Sequence, residues 1–180
     1  PLQLITPTGE GPGGVWLRMS VLRAVTFVFL GVCGICVSLY AIHVEEMAKV
    51  PGYVASCDFG KFASCSRVLS SEYSHFLRWA GAVPRNHPLD VSNAVLGVMF
   101  YVLIVLFPLI PGRGKRLGYL LMCTLSLAFS VFLAYILYFI LVDFCAVCVS
   151  TYVLNTLIFL AVLREYRSPP TAPKAKKKAT

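Results

Sequence analysis

Four stretches free of Asp, Glu, Lys and Arg limit what this chain can fold into: residues 24–44 (21 residues), 94–111 (18), 117–142 (26) and 144–163 (20). Each is long enough to cross a hydrocarbon core of about 30 Å as a helix. Of the 180 residues, 58% are hydrophobic and 13% charged, with a mean hydropathy of +0.76. A soluble domain of this size could not hide that much apolar surface, so the bilayer is the natural solvent. In lipid each backbone polar group needs a partner within the protein, which selects helices for these spans. The last two runs are separated only by Asp143. As one helix they would extend about 70 Å, far beyond a single crossing, so the chain must turn near Asp143. The expected fold class is all-α, an integral membrane four-helix bundle. The expected layout is one domain over 21–166, with a 49-residue loop at 45–93 between the first two spans.

Charge orients the bundle. Residues 1–23, the short loop after 111 and the tail beyond 163 carry eleven of the sixteen basic residues and only two acids. The loop 45–93 and Asp143 carry five basic residues and six acids. The basic excess marks the cytosolic side, so both termini are expected there and the long loop on the opposite face. The net charge of +8 therefore reads as membrane orientation rather than nucleic-acid binding, for which no motif is present. Residues 1–20, rich in Gly, Pro and Thr up to position 14, read as a disordered cytosolic segment rather than a cleavable leader. The tail 167–180 ends Lys177-Lys178-Ala179-Thr180. It reads either as a dilysine endoplasmic-reticulum retrieval signal or as a polybasic membrane-surface tail. Within the long loop, Leu69, Tyr73, Phe76, Leu77 and Ala80 recur at helical spacing. This predicts a short amphipathic helix lying in the interface and covering the bundle as a lid.

Seven cysteines carry most of the chemical information. Cys145-Ala-Val-Cys148 opens the fourth span on the non-cytosolic side, where thiol–disulfide exchange is permitted. Two cysteines three apart share a helix face, and the free N–H groups of a first turn favour a thiolate. Asp143 is the expected N-cap of that helix. Zinc sites also use this spacing, but only Cys57, Cys65, His75 and His87 stand as further ligands. Cys57 and Cys65, with seven residues between them, lie in the loop on the same side. They read equally as a structural staple or as a second dithiol that exchanges with Cys145–Cys148. Cys33-Gly-Ile-Cys36 is a second CxxC, but it lies mid-span, where thiolate chemistry is excluded, and it reads as a decoy. Cys123 reads as an apolar filler. His43, His75 and His87 show no metal spacing. Tyr152 projects one turn beyond Cys148 on the same face, to bond a neighbouring helix or a ligand oxygen. Asn93 stands at the entry of the second span, to cap it or to donate to a ligand oxygen.

The set Cys57-Asp58, Cys65-Ser66-Arg67-Val68, Ser92-Asn93, and Asp143 to Cys148 followed by Thr151-Tyr152 resembles the vitamin K epoxide reductase family, in order and with near-family spacing from residue 39 to 167. The resemblance departs over 74–90, and at Leu69 and Leu96, where the family carries aromatics. It implies a warfarin-sensitive type of thiol-dependent oxidoreductase in the endoplasmic-reticulum membrane, reducing vitamin K epoxide to the quinone and the quinone to the hydroquinone. Cys145 and Cys148 would be the active-site pair, Cys148 meeting substrate. Cys65 would pass electrons to Cys145, and Cys57 would meet a lumenal thioredoxin-like partner. Asn93 and Tyr152 would hydrogen-bond the quinone oxygens, and Phe100, Val147 and Leu96 would line the apolar pocket that coumarin-type inhibitors also occupy. No tightly bound cofactor and no metal are implied, with quinone as substrate and a dithiol as electron donor. Two other readings remain at this point: a quinone-coupled oxidase that makes disulfides, and a non-enzymatic tetraspan scaffold. An ion transporter is disfavoured because no span carries an acidic or basic side chain.

Overall fold

A computed structural model describes residues 21–60, 63–84, 87–110 and 114–168. Among them the fold is all-helical, with only two isolated backbone bridges and no strand. Helix α1 (Val21–Met47) is followed by two short loop helices, α2 (Cys65–Leu69) and α3 (Phe76–Trp79), then by α4 (Asn93–Leu106), α5 (Gly114–Tyr135) and α6 (Ala146–Arg167). The segments Val21–Met47, Lys115–Ile140 and Ala146–Arg167 are long and apolar enough to cross a membrane. Helix α4, expected over 94–111, has 14 residues, about 21 Å of rise. Ser92 starts it by accepting from the Val95 N–H, and Pro108, which has no N–H to donate, ends it.

Helices α1 and α4 pack closely because small residues face the contact. A Cβ at Gly34 would run into the Tyr101 ring, and one at Gly97 would lie 2.8 Å from Ser38 Oγ. Small residues let backbones approach where lipid supplies no hydrophobic drive between helices. Polar links finish the interior. Tyr101 donates to Asn155 at 2.9 Å, and Asn155 donates to Ser130 at 2.8 Å, joining α4, α6 and α5. At one end Glu165, nearly buried, pairs with Arg23 at 2.9 Å and Arg116 at 3.0 Å. These bonds join α1, α5 and α6. Elsewhere large apolar side chains such as Phe29, Leu125 and Phe139 face outward.

The predicted turn near Asp143 is present. Helix α5 loosens into a π-helical turn at Ile136–Ile140, and Val142 takes a positive φ of 49° before the chain reverses. The fourth helix starts at Ala146, not at 144 as read from the charge-free run. The single amphipathic helix expected over 69–80 is broken into α2, a 3-10 turn at Glu72–Ser74, and α3. Serine side chains compete with the helical ladder there: Ser71 Oγ donates to Val68 O at 2.7 Å and Ser74 Oγ to Ser71 O at 2.8 Å. Residues 1–20 and the tail from 169, with its Lys-rich end, lie outside the described residues.

Candidate redox site

The two cysteine pairs meet where the long loop docks on the start of α6. A parallel bridge joins Ala63 to Phe144. The Ser64 N–H donates to Asp143 Oδ1 at 3.2 Å, and Arg67 Nε and Nη2 each reach Asp143 Oδ2 at 2.7 Å. Asp143 was expected to cap α6, and it does not. Its carboxylate serves the loop and the Phe144 N–H, while the N-cap is Cys145, whose sulfur accepts from the Cys148 N–H at 3.3 Å. Cys145 and Cys65 are both completely buried, in one cluster that also holds Cys57 and Val147. Cys57 and Cys65 are joined in a disulfide, whereas Cys145 and Cys148 are free thiols.

Cys145 stands one residue before the Ala146–Arg167 span. Its thiol is held below the ordinary range, first by the hydrogen bond from Cys148, then by the Cys148 and Val147 amides, against the opposing effect of burial. Asp58, on the loop, is also held low. Burial pushes it up, but donation from the Ser66 hydroxyl at 2.6 Å, the Ser66 N–H at 3.1 Å and the Ala55 N–H at 2.9 Å outweighs that. Asp58 thereby ties the two ends of the Cys57–Cys65 segment together. Asp58, Cys57 and Cys65 bring ligand-type atoms within 4.8 Å of one another, but the two sulfurs are already bonded to each other.

A cavity of about 420 Å³ lies beside the thiols. Cys148, Asn93, Tyr152, Phe100, Val147 and Leu96 all line it, so every pocket residue named from the sequence faces one space. Cys145 sits behind Cys148, buried among Val147 and the loop. Asn93 does not cap α4; Ser92 does. The Asn93 amide instead accepts from the Phe76 N–H at 3.1 Å and donates to Tyr73 O at 2.7 Å, holding the loop over the cavity. One N–H of its NH₂ group is left over from that pairing. Among the described residues no side-chain hydrogen bond joins the Tyr152 hydroxyl to a neighbouring helix. The loop completes the wall with Leu69, Tyr73 and Phe76, the Phe76 ring meeting Phe129 edge-on at 4.8 Å.

Sequence reasoning missed two groups. The cavity floor includes Tyr101, Asn155 and Ser130, whose mutual bonding no spacing announces. Glu45 lines the cavity although it is charged, and His75 pairs with it at 3.0 Å. Glu45 directly follows the charge-free run 24–44, but nothing in that position pointed to the cavity. Cys33 and Cys36 lie on α1 as free thiols, Cys36 exposed, and Cys123 is buried between helices.

The family model described as "Vitamin K epoxide reductase family" matches residues 25–163. The mouse protein named vitamin K epoxide reductase complex subunit 1 is 39% identical over 153 residues, covering 82% of this chain and 91% of its own length. Its rat counterpart shows the same identity and coverage.

Proposed function

This chain belongs to the vitamin K epoxide reductase family, and we propose that it reduces vitamin K 2,3-epoxide to the quinone, and the quinone to the hydroquinone, with electrons from Cys145 and Cys148. The observation that carries the reading is the convergence of a free thiol, Cys148, with Asn93 and Tyr152 on one apolar cavity, next to a loop disulfide. The Cys148 thiolate attacks the ligand ring. Asn93 and Tyr152 donate to the oxygens where negative charge develops, bonds that gain strength in a dry cavity. Cys145 then attacks the Cys148 sulfur, releases the reduced ligand and closes the Cys145–Cys148 disulfide. Two electrons and two protons leave the dithiol. They convert epoxide to quinone and water, or quinone to hydroquinone. Phe100, Val147 and Leu96 supply apolar wall. No tightly bound cofactor is required.

The loop pair restores the site. As a dithiol, Cys65 attacks the Cys145 sulfur, and Cys57 resolves the mixed disulfide, leaving Cys57–Cys65 oxidised. A lumenal thioredoxin-like dithiol then reopens it through Cys57. This assigns residues 21–166 to a four-helix reductase body. Loop 45–93 would lie on the lumenal side of the endoplasmic-reticulum membrane, both termini would be cytosolic, and coumarin-type inhibitors would compete for the cavity.

The test is thiol-driven conversion of vitamin K epoxide by the purified protein in detergent, followed by chromatography, with Cys145→Ala and Cys148→Ala alongside. Turnover by the wild type and by neither variant is expected. A folded wild type that turns nothing over with dithiothreitol present would refute the reductase and favour a disulfide-forming oxidase or a scaffold.

A further inference from the structure

His75 has no part in the reaction above, yet both of its ring nitrogens are engaged. Nε2 lies 3.0 Å from Glu45 Oε1, and Nδ1 lies 2.8 Å from Asp90 Oδ1. Arg78 Nη1 reaches the other Asp90 oxygen at 3.1 Å. An ionised carboxylate only accepts, so each of these bonds needs an N–H on the ring nitrogen that faces it. The site is sheltered, with side-chain exposures of 11% for Glu45, 9% for Asp90 and 21% for His75. Among the described residues, Glu46 on α1 pairs with Lys49 at 2.7 Å, and His43 on α1 and Glu72 and His87 on the loop are exposed. The Asp90 carboxyl is held below its ordinary range, burial raising it but the bond and charge of His75 and the charge of Arg78 outweighing that.

The position of this clamp gives it a role. Glu45 lies at the end of α1, Asp90 lies three residues before Asn93, and His75 immediately precedes Phe76. Phe76 and Tyr73 are the two residues whose backbones hold the Asn93 amide. Phe76 also seals the cavity against Phe129 and Phe132. We propose that His75, clamped between Glu45 and Asp90, is a positioning residue that holds the loop segment 73–79 closed over the cavity and the Asn93 amide aimed into it. This rests on the proposed reaction only in taking Asn93 as a ligand donor.

The clamp predicts a loss of affinity without a matching loss of rate. His75→Ala removes both carboxylate bonds and should raise the KM for the epoxide roughly tenfold or more, the scale of one lost charge-assisted hydrogen bond, with kcat changed by less than about threefold. His75→Gln, whose amide can still donate to one of the two carboxylates, should recover part of that affinity. A second readout needs no turnover. Trp79 packs on Tyr73 and Phe132 at centroid distances of 5.6 and 5.7 Å, so its emission, in a Trp16→Phe background, reports loop position. That emission should shift with His75→Ala and return toward the parent with His75→Gln. If it does so in a protein that never turns over, the clamp stands and the reaction assignment fails. If a folded His75→Ala matches its parent in KM and in emission, the proposal is overturned.

Discussion

If Cys65 exchanges with Cys145 as proposed, the docking of the loop on Asp143 sets how readily the two meet, and removing that carboxylate tests it. Asp143→Ala deletes the acceptor of the Ser64 N–H and the partner of Arg67. It also deletes the bond to the Phe144 N–H, but that one is local and does not hold the loop. The Asp143 side chain is 4% exposed and Arg67 56% exposed, so the ion pair is discounted to about 0.5–1 kcal/mol. Leaving the Ser64 amide unpaired at a nearly buried position costs about 1–1.5 kcal/mol more. The sum, about 2 kcal/mol, corresponds to roughly a thirtyfold loss of docked loop. The assay uses a Cys57→Ser, Cys148→Ser background, which leaves Cys65 and Cys145 to pair with each other. Equilibration against a glutathione buffer, with alkylation of free thiols, gives their effective concentration. Asp143→Ala should lower it by roughly thirtyfold, and Asp143→Asn, which still accepts from Ser64, by only about threefold. An Asp143→Ala value within about threefold of its parent would refute the claim that this carboxylate seats the relay.

Three further outcomes follow from the packing. Gly34→Val drives a side chain into the Tyr101 ring and should lower stability by about 1–3 kcal/mol, read as a reduced thermal midpoint in detergent; an unchanged midpoint would contradict the close approach of α1 and α4. The Asp58 carboxyl is held below its ordinary value of 3.8, so its contribution to loop stability is complete above that value and is lost as pH falls through the lower folded value. The thermal midpoint of wild type should therefore drop more steeply than that of Asp58→Asn on acidification below about pH 4. Cys33→Ala with Cys36→Ala should leave epoxide turnover unchanged and stability within about 0.5 kcal/mol, and a loss of turnover would give the mid-span CxxC a redox role.

Periodicity and charge made three long apolar helices legible, because a charge-free run of 20 residues in this composition has few other destinations, whereas the run 94–111 forms a helix of only 14 residues. The ends were not legible in the same way. The fourth span read from 144, but α6 begins two residues later because the Cys145 sulfur caps it. Asp143 was the conventional choice for that cap by residue type. It was claimed instead by Ser64 and Arg67, partners 79 and 76 residues away, which local pattern does not register. The loop helix failed for a related reason. Its apolar spacing was right, and Leu69, Tyr73 and Phe76 do face the cavity, but the serines between them found backbone acceptors and cut the helix into turns.

The same contrast separates the pocket residues that the sequence offered from those it hid. Cys148 and Tyr152 are one turn apart on one helix, so their common face follows from helical geometry alone. Asn93 joins them only through tertiary structure, and it does so as a hinge point, with its amide already committed to Tyr73 and Phe76. Its remaining N–H is the donor that this pairing leaves for a ligand oxygen. A ligand oxygen that takes this N–H therefore bonds to a group whose direction is set by the loop, and the loop's position is set in turn by His75, Glu45 and Asp90. Substrate binding and loop closure are then one equilibrium: whatever opens the loop also turns the Asn93 donor away, and a ligand that holds the donor holds the loop.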